Sequence, residues 1–126
     1  MKTKLSKTLT ALTFLIFFSS SSVIFADDFQ DGVDAYNAKD YKEAVRLFSL
    51  SAEQGDVDAQ YNLGYMHHKG LGLPQNYKKA VKWYRLSAEQ GHNNAQSNLG
   101  FMHNHGLGVP QDSEKAFRLY RLSAEQ

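Results

Sequence analysis

The phrase RLSAEQ stands at Arg85–Gln90 and again at Arg121–Gln126, with a looser copy, SLSAEQ, at Ser49–Gln54, and successive copies are 36 residues apart. The match runs well past the phrase: Gly55–Gln90 set above Gly91–Gln126 is identical at 22 of 36 positions. A period of this length marks an array of supersecondary units, each unable to bury its apolar face without a neighbour. The chain is therefore expected to fold by stacking copies of one unit.

The N-terminal stretch stands outside that pattern. Lys2, Lys4 and Lys7 precede an apolar run, LTALTFLIFF at Leu9–Phe18, which is followed by four serines, VIFA, and then Asp27 and Asp28. A basic start, a short apolar segment and a small residue before an acidic beginning describe a secretory signal peptide over 1–26. Cleavage is expected after Ala26, with Ser22 as the second choice. A retained membrane anchor is the alternative, although the apolar run is short for a span of about 20 residues. Both readings export the remainder to the periplasm or the exterior, with no stable membrane span once the signal is cleaved.

Without the three signal lysines, eleven Lys and Arg face thirteen Asp and Glu, so residues 27–126 carry a net charge of −2. That balance speaks against a nucleic-acid partner. The chain has no cysteine, so no disulfide can staple an exported domain of this size and apolar packing must hold it.

Helical periodicity supplies the elements. Ala59, Leu63, Met66 and Gly70 share one stripe, and Ala80, Trp83, Tyr84, Ser87 and Ala88 another. Asp56 and Asn76 are placed to cap the two N-termini, and Gly70 and Gly91 to close the C-termini in the left-handed conformation. GLGLPQ (Gly70–Gln75) is loop chemistry, and the arrangement recurs over 95–105, GLGVPQ at Gly106–Gln111, and 112–126. An opening pair is expected near Phe29–Asn37 and Tyr41–Gln54, with Asp40 and Glu43 spaced as a capping box. Six helices result, in units 27–54, 55–90 and 91–126. Within RLSAEQ, Ser87 and Ala88 are expected to pack on the next unit's first helix, where Gly64 or Gly100 offers no side chain, and Glu89 and Gln90 to face solvent.

The stretches AQYNLGYMHHKGLGLPQNYKKAVKWYRLSAEQG (Ala59–Gly91) and AQSNLGFMHNHGLGVPQDSEKAFRLYRLSAEQ (Ala95–Gln126) resemble Sel1-like repeats, a subgroup of the tetratricopeptide-like helical repeats. The opening unit is more similar to an ordinary tetratricopeptide unit. The resemblance implies an all-α, right-handed α-solenoid of about three antiparallel helix pairs that acts as an adaptor, in bacteria often periplasmic or secreted. It also points to a protein or peptide partner on the concave groove. An exported branch of the family carries a disulfide in each repeat and is linked to β-lactam hydrolysis or binding. A chain without cysteine does not fit that branch.

No residue is singled out as catalytic, cofactor-binding or metal-ligating. His67, His68, His92, His103 and His105 are the chemically richest candidates. His67 and His103 hold equivalent positions, which favours ring packing, and His103 and His105 are spaced wrongly for a shared helical face. The GxG loops lack the preceding strand of a nucleotide fingerprint. Asn62 and Asn98 precede LG, where the family resemblance suggests an asparagine that bonds a ligand's backbone; bonding to a neighbouring helix is the alternative. Tyr61 and Tyr65, with Ser97 and Phe101 as counterparts, would flank them. A cell-wall or β-lactam hydrolase and a glycan-binding protein remain the other readings. Finally, the third copy repeats Tyr120, Leu122 and Ala124 with nothing following Gln126. The face carrying Ala116, Tyr120 and Ala124 is expected to form a homodimer contact or to be covered by a partner, with a frayed last helix.

Overall fold

Four of the helices begin where a short polar side chain takes up an orphan backbone N–H. In the computed structural model, which describes residues 27–126, helix α1 occupies 27–37; the signal-peptide reading lies outside the described residues. Five more helices follow: α2 (Tyr41–Glu53), α3 (Val57–Lys69), α4 (Tyr77–Glu89), α5 (Asn93–His105) and α6 (Ser113–Ala124). Asp40, Asp56, Asn76 and Asp112 accept from the N–H three residues on, at 3.3, 2.7, 3.0 and 2.9 Å. Such a cap is worth about 1 kcal/mol. The capping box at Asp40 is only half made. The Asp40 N–H already donates to the Ala35 carbonyl at 2.9 Å, so Glu43 is free to pair with Arg46 instead.

The GLGxPQ loops are built from distinct parts. Gly70 and Gly106 end α3 and α5 at φ 68 and 64°, a conformation that glycine adopts without strain. The second glycine does something further: a Cβ on Gly72 would lie 2.4 Å from the Tyr41 carbonyl oxygen, and one on Gly108 2.5 Å from that of Tyr77. Each loop thus presses on the start of the preceding unit's second helix. Gln75 and Gln111 then donate to the exposed carbonyls of His68 and Asn104 at 2.8 and 3.0 Å. The loops close their own helix pair and fix its distance from the one before.

The helices form three antiparallel pairs, each packed on its neighbours in sequence order. Two apolar clusters result. Ala44, Phe48, Ala52, Ala59, Leu63 and Met66 join α2 to α3, and Ala80, Val81, Tyr84, Ala88, Leu99 and Met102 join α4 to α5. Within pairs, glycine makes room for a ring. A Cβ on Gly32 would meet Phe48 at 2.8 Å, on Gly64 Tyr84 at 2.8 Å, and on Gly100 Tyr120 at 3.0 Å. This corrects the expected job of Gly64 and Gly100, which receive the aromatic of their own pair rather than a small residue of the preceding unit.

SAEQ is corrected in the same way. The Ser87 hydroxyl donates to the Val57 carbonyl at 2.8 Å, inside its own pair. Ala88 does face the next unit, and its carbonyl accepts from the Gln96 amide at 3.3 Å, as that of Ala52 does from Gln60. Gln90 does not simply point to solvent, since it donates to the Gln60 side chain at 2.7 Å. In the last copy Ser123 bonds Asn93 and Gln126 bonds Gln96. The phrase is thus a set of hydrogen-bonding positions that join one helix to its neighbours.

Candidate functional site

The first helix of each pair, α1, α3 and α5, shares one face of the array, and the aromatic residues expected on a groove collect there. Between α1 and α3 lies a cleft of about 370 Å3 lined by Val33, Tyr36, Phe48, Tyr61, Asn62 and Tyr65. Three of the expected groove residues, Tyr61, Asn62 and Tyr65, meet in it. Asn98 and Phe101 lie one helix further on, and the counterpart of Tyr61 on α5 is Ser97, so aromatic surface is concentrated on the α1–α3 side.

The two asparagines are not equivalent. Among the described residues the Asn62 side chain has no hydrogen-bonding partner, because the ring beside it on the second helix is Phe48, which carries no hydroxyl. One unit later the ring is Tyr84. Burial pushes the Tyr84 hydroxyl well above the ordinary tyrosine range and raises that of Tyr61, and the Asn98 amide opposes both shifts. Asn98 therefore lies beside the hydroxyls of the protein's own tyrosines, whereas Asn62 lines the cleft with its donor and acceptor.

A chain of rings extends from there. Tyr61 stacks on His92 with centroids 4.6 Å apart, and His68 lies 6.0 Å from Phe101, which meets His105 at 4.2 Å. The His68 Nδ1 is 3.1 Å from the Tyr84 hydroxyl. Lys69 reaches over the Tyr65 ring at 5.9 Å, a cation–π contact at the rim.

The histidines divide into structural roles. His67 and His103 are buried, with Nδ1 of His67 and both nitrogens of His103 unpartnered; burial lowers the pKa of each, and of His68. His92 is the N-cap of α5: its Nδ1 accepts from the Ala95 N–H at 3.1 Å and its Nε2 lies 3.2 Å from Asp58. Sequence reasoning missed that role although a signal existed, for His92 stands 36 residues after the cap Asp56. Among the described residues, no three His, Asp or Glu side chains are grouped so as to hold a metal ion.

On the last helix the structure separates the three expected end-face residues. Ala116 is 1% exposed, packed inside its own pair as Ala80 is. Tyr120 is 36% exposed and Ala124 is exposed. The outward face is Phe117, Tyr120 and Ala124, in register with Val81, Tyr84 and Ala88, which α5 covers one unit earlier.

Stacked antiparallel helix pairs with an aromatic inner face define an α-solenoid of the helical-repeat class. The Sel1 repeat family matches over residues 30–56, 57–92 and 93–126, and the chain belongs to that family. Its structure is similar to that of c5321, a protective antigen present in uropathogenic Escherichia coli strains displaying an SLR fold (32% identity, TM-score 0.80, covering 85% of this chain and 24% of that one). It is also similar to a Sel1 repeat protein from Oxalobacter formigenes (37% identity, TM-score 0.75, covering 79% and 40%). A third likeness, to Helicobacter pylori cysteine rich protein B, is at 15% identity with a TM-score of 0.63, covers 80% and 86%, and concerns the fold alone. The chain thus spans about a quarter and two fifths of the first two proteins. No curated protein sequence matches it significantly. Sel1 repeat proteins are in general protein-interaction modules, typically on a non-catalytic scaffold. No helix among the described residues is long and apolar enough to cross a membrane.

Proposed function

We propose that this Sel1 repeat chain is an exported, non-enzymatic adaptor that holds an extended peptide or protein segment in the cleft between α1 and α3. The observation that carries this reading is the unpartnered Asn62 amide set among Tyr36, Tyr61 and Tyr65. A partner's backbone offers the complementary N–H and C=O, and half-buried rings supply contact area at small entropic cost. Export rests on the lysines and apolar run of residues 1–26, and places the partner in the periplasm or outside the cell. The test is site-specific photocrosslinking in intact cells, with the crosslinker at Tyr65 or, as a control on a second helix, at Lys82. A discrete adduct from position 65 in the envelope fraction, lost in Asn62→Ala but retained in Asn98→Ala, is the expected result. Equal adducts from both positions, or equal loss in both asparagine variants with a lowered melting temperature, would overturn it.

A further inference from the structure

A second cleft, of about 230 Å3, lies between α4, α5 and α6, walled by Ala88, Leu99, Leu119 and Leu122 and rimmed by Arg85 and Lys115. The 36-residue register shows how it arose. Its lining residues Ala88, Glu89, Gln96, Leu99, Lys115 and Leu122 have identical counterparts one unit earlier, namely Ala52, Glu53, Gln60, Leu63, Lys79 and Leu86. Two lining positions differ. Where the later unit has Leu119, the earlier one has Trp83, whose indole packs on the cluster containing Ala52 and Leu63. Where the later unit has Arg85, the earlier one has Ser49, whose hydroxyl is spent on the Val45 carbonyl at 2.6 Å.

One exchange therefore removes a bicyclic ring from an otherwise unchanged apolar wall, and the other adds a guanidinium at its rim. Neither Arg85 nor Lys115 has an ion-pair partner among the described residues. Glu89 is the acid on the rim and leaves a surplus of one positive charge there. Both cations line this one cleft, and both repel a proton on the buried His103. The polar wall group, Gln96, is occupied by Ala88 and Gln126. What the cleft lacks is the aromatic ring that fills its counterpart, and its rim sets two cations against the single carboxylate of Glu89.

We infer that the α4–α5–α6 cleft is a second peptide site, taking an aromatic side chain adjacent to a carboxylate. The ring enters where the indole of Trp83 sits one unit earlier, and the carboxylate is held by Arg85 and Lys115. Arg85 suits that task because a guanidinium presents paired donors to a carboxylate. The site is separate from the Asn62 cleft and does not depend on it.

The test uses the purified chain and N-acetyl-Asp-Trp-amide, followed through the backbone amide shifts of Ala88, Leu99 and Leu119. N-acetyl-Asn-Trp-amide and N-acetyl-Asp-Ala-amide remove the charge and the ring in turn. Saturable shifts with the first peptide are expected. Removing the charge, either in the ligand or by Arg85→Ser, should weaken binding about tenfold, the loss of one hydrogen bond to a charged group. Leu119→Trp should abolish it by filling the cleft with a residue that the same wall already accommodates one unit earlier. Arg85→Ser keeps the test decisive should Leu119→Trp not fold. Absence of saturable shifts, equal binding of the Asn peptide, or a titration unaffected by a folded Leu119→Trp would each overturn the inference.

Discussion

At the scale of single residues, the glycines show how one residue type does different work. Gly91 has φ 91° and open space where a Cβ would stand, whereas Gly108 combines φ 69° with a Cβ position 2.5 Å from the Tyr77 backbone. Gly91→Ala should therefore cost about 1 kcal/mol, the penalty of a left-handed non-glycine residue. Gly108→Ala should cost about 3 kcal/mol or more, because backbone must also move; equal midpoints in urea unfolding would contradict the close approach. The buried histidines set a pH dependence. Burial lowers the folded-state pKa of His67, His68 and His103, with Lys79 and Lys82, Lys69, and Lys115 and Arg85 respectively adding repulsion, and Asp112 opposing it at His103. The unfolded chain then binds more protons below the ordinary histidine value of about 6.5, so stability is full above that pH and lost as pH falls through it. Melting temperature should drop between pH 7 and pH 5, and His103→Phe should flatten that drop; an unchanged slope would show that this ring is not buried neutral.

At the scale of elements, what distinguishes one helix from its copy is the neighbour that covers it. Tyr84 is fully buried under α5, while its counterpart Tyr120 is 36% exposed and Phe117, the counterpart of buried Val81, is 64% exposed. The same three positions are core on α4 and surface on α6. At the opposite end, Gly32 beneath Phe48 sets the register of α1 against α3. Asp27, Asp28, Asp31 and Asp34 then stand where α3 has Ala59, Gln60, Leu63 and Met66 to pack on the helix before it. A face of aspartates cannot receive an apolar helix without burying unpaired charge.

For the whole molecule this asymmetry limits how copies can associate. Head-to-tail stacking would set the apolar α6 face against the acidic α1 face and propagate as a fibre, whereas α6 against α6 closes as a two-fold pair. Sedimentation should accordingly show no species larger than a dimer, and Phe117→Glu should return any dimer to monomer. A ladder of higher oligomers would mean that α1 accepts a stacked helix after all. Around the fixed stack, the two clefts differ in chemistry, one with an uncharged amide among tyrosines and the other an apolar slot with cations at its rim.

The repeat, its helices, their caps and their glycine turns were legible in the amino-acid order, because each depends on hydrogen bonds spanning only three to five residues. Asp56, Asn76 and Gly70 were found that way, and so could His92 have been from its register. The assignment of each face to a neighbour was not legible. Ser87, Gly64 and Ala116 turned out to serve their own pair, and Gln90 a side chain 30 residues away, since a stripe of small residues fits either adjacent helix equally well. The inequality of Asn62 and Asn98 likewise depends on whether Phe48 or Tyr84 stands opposite. Short-range bonding is written along the chain, but which surface meets which is settled only when all the helices pack at once, and this is why the tertiary structure alone decided where the clefts of this protein lie.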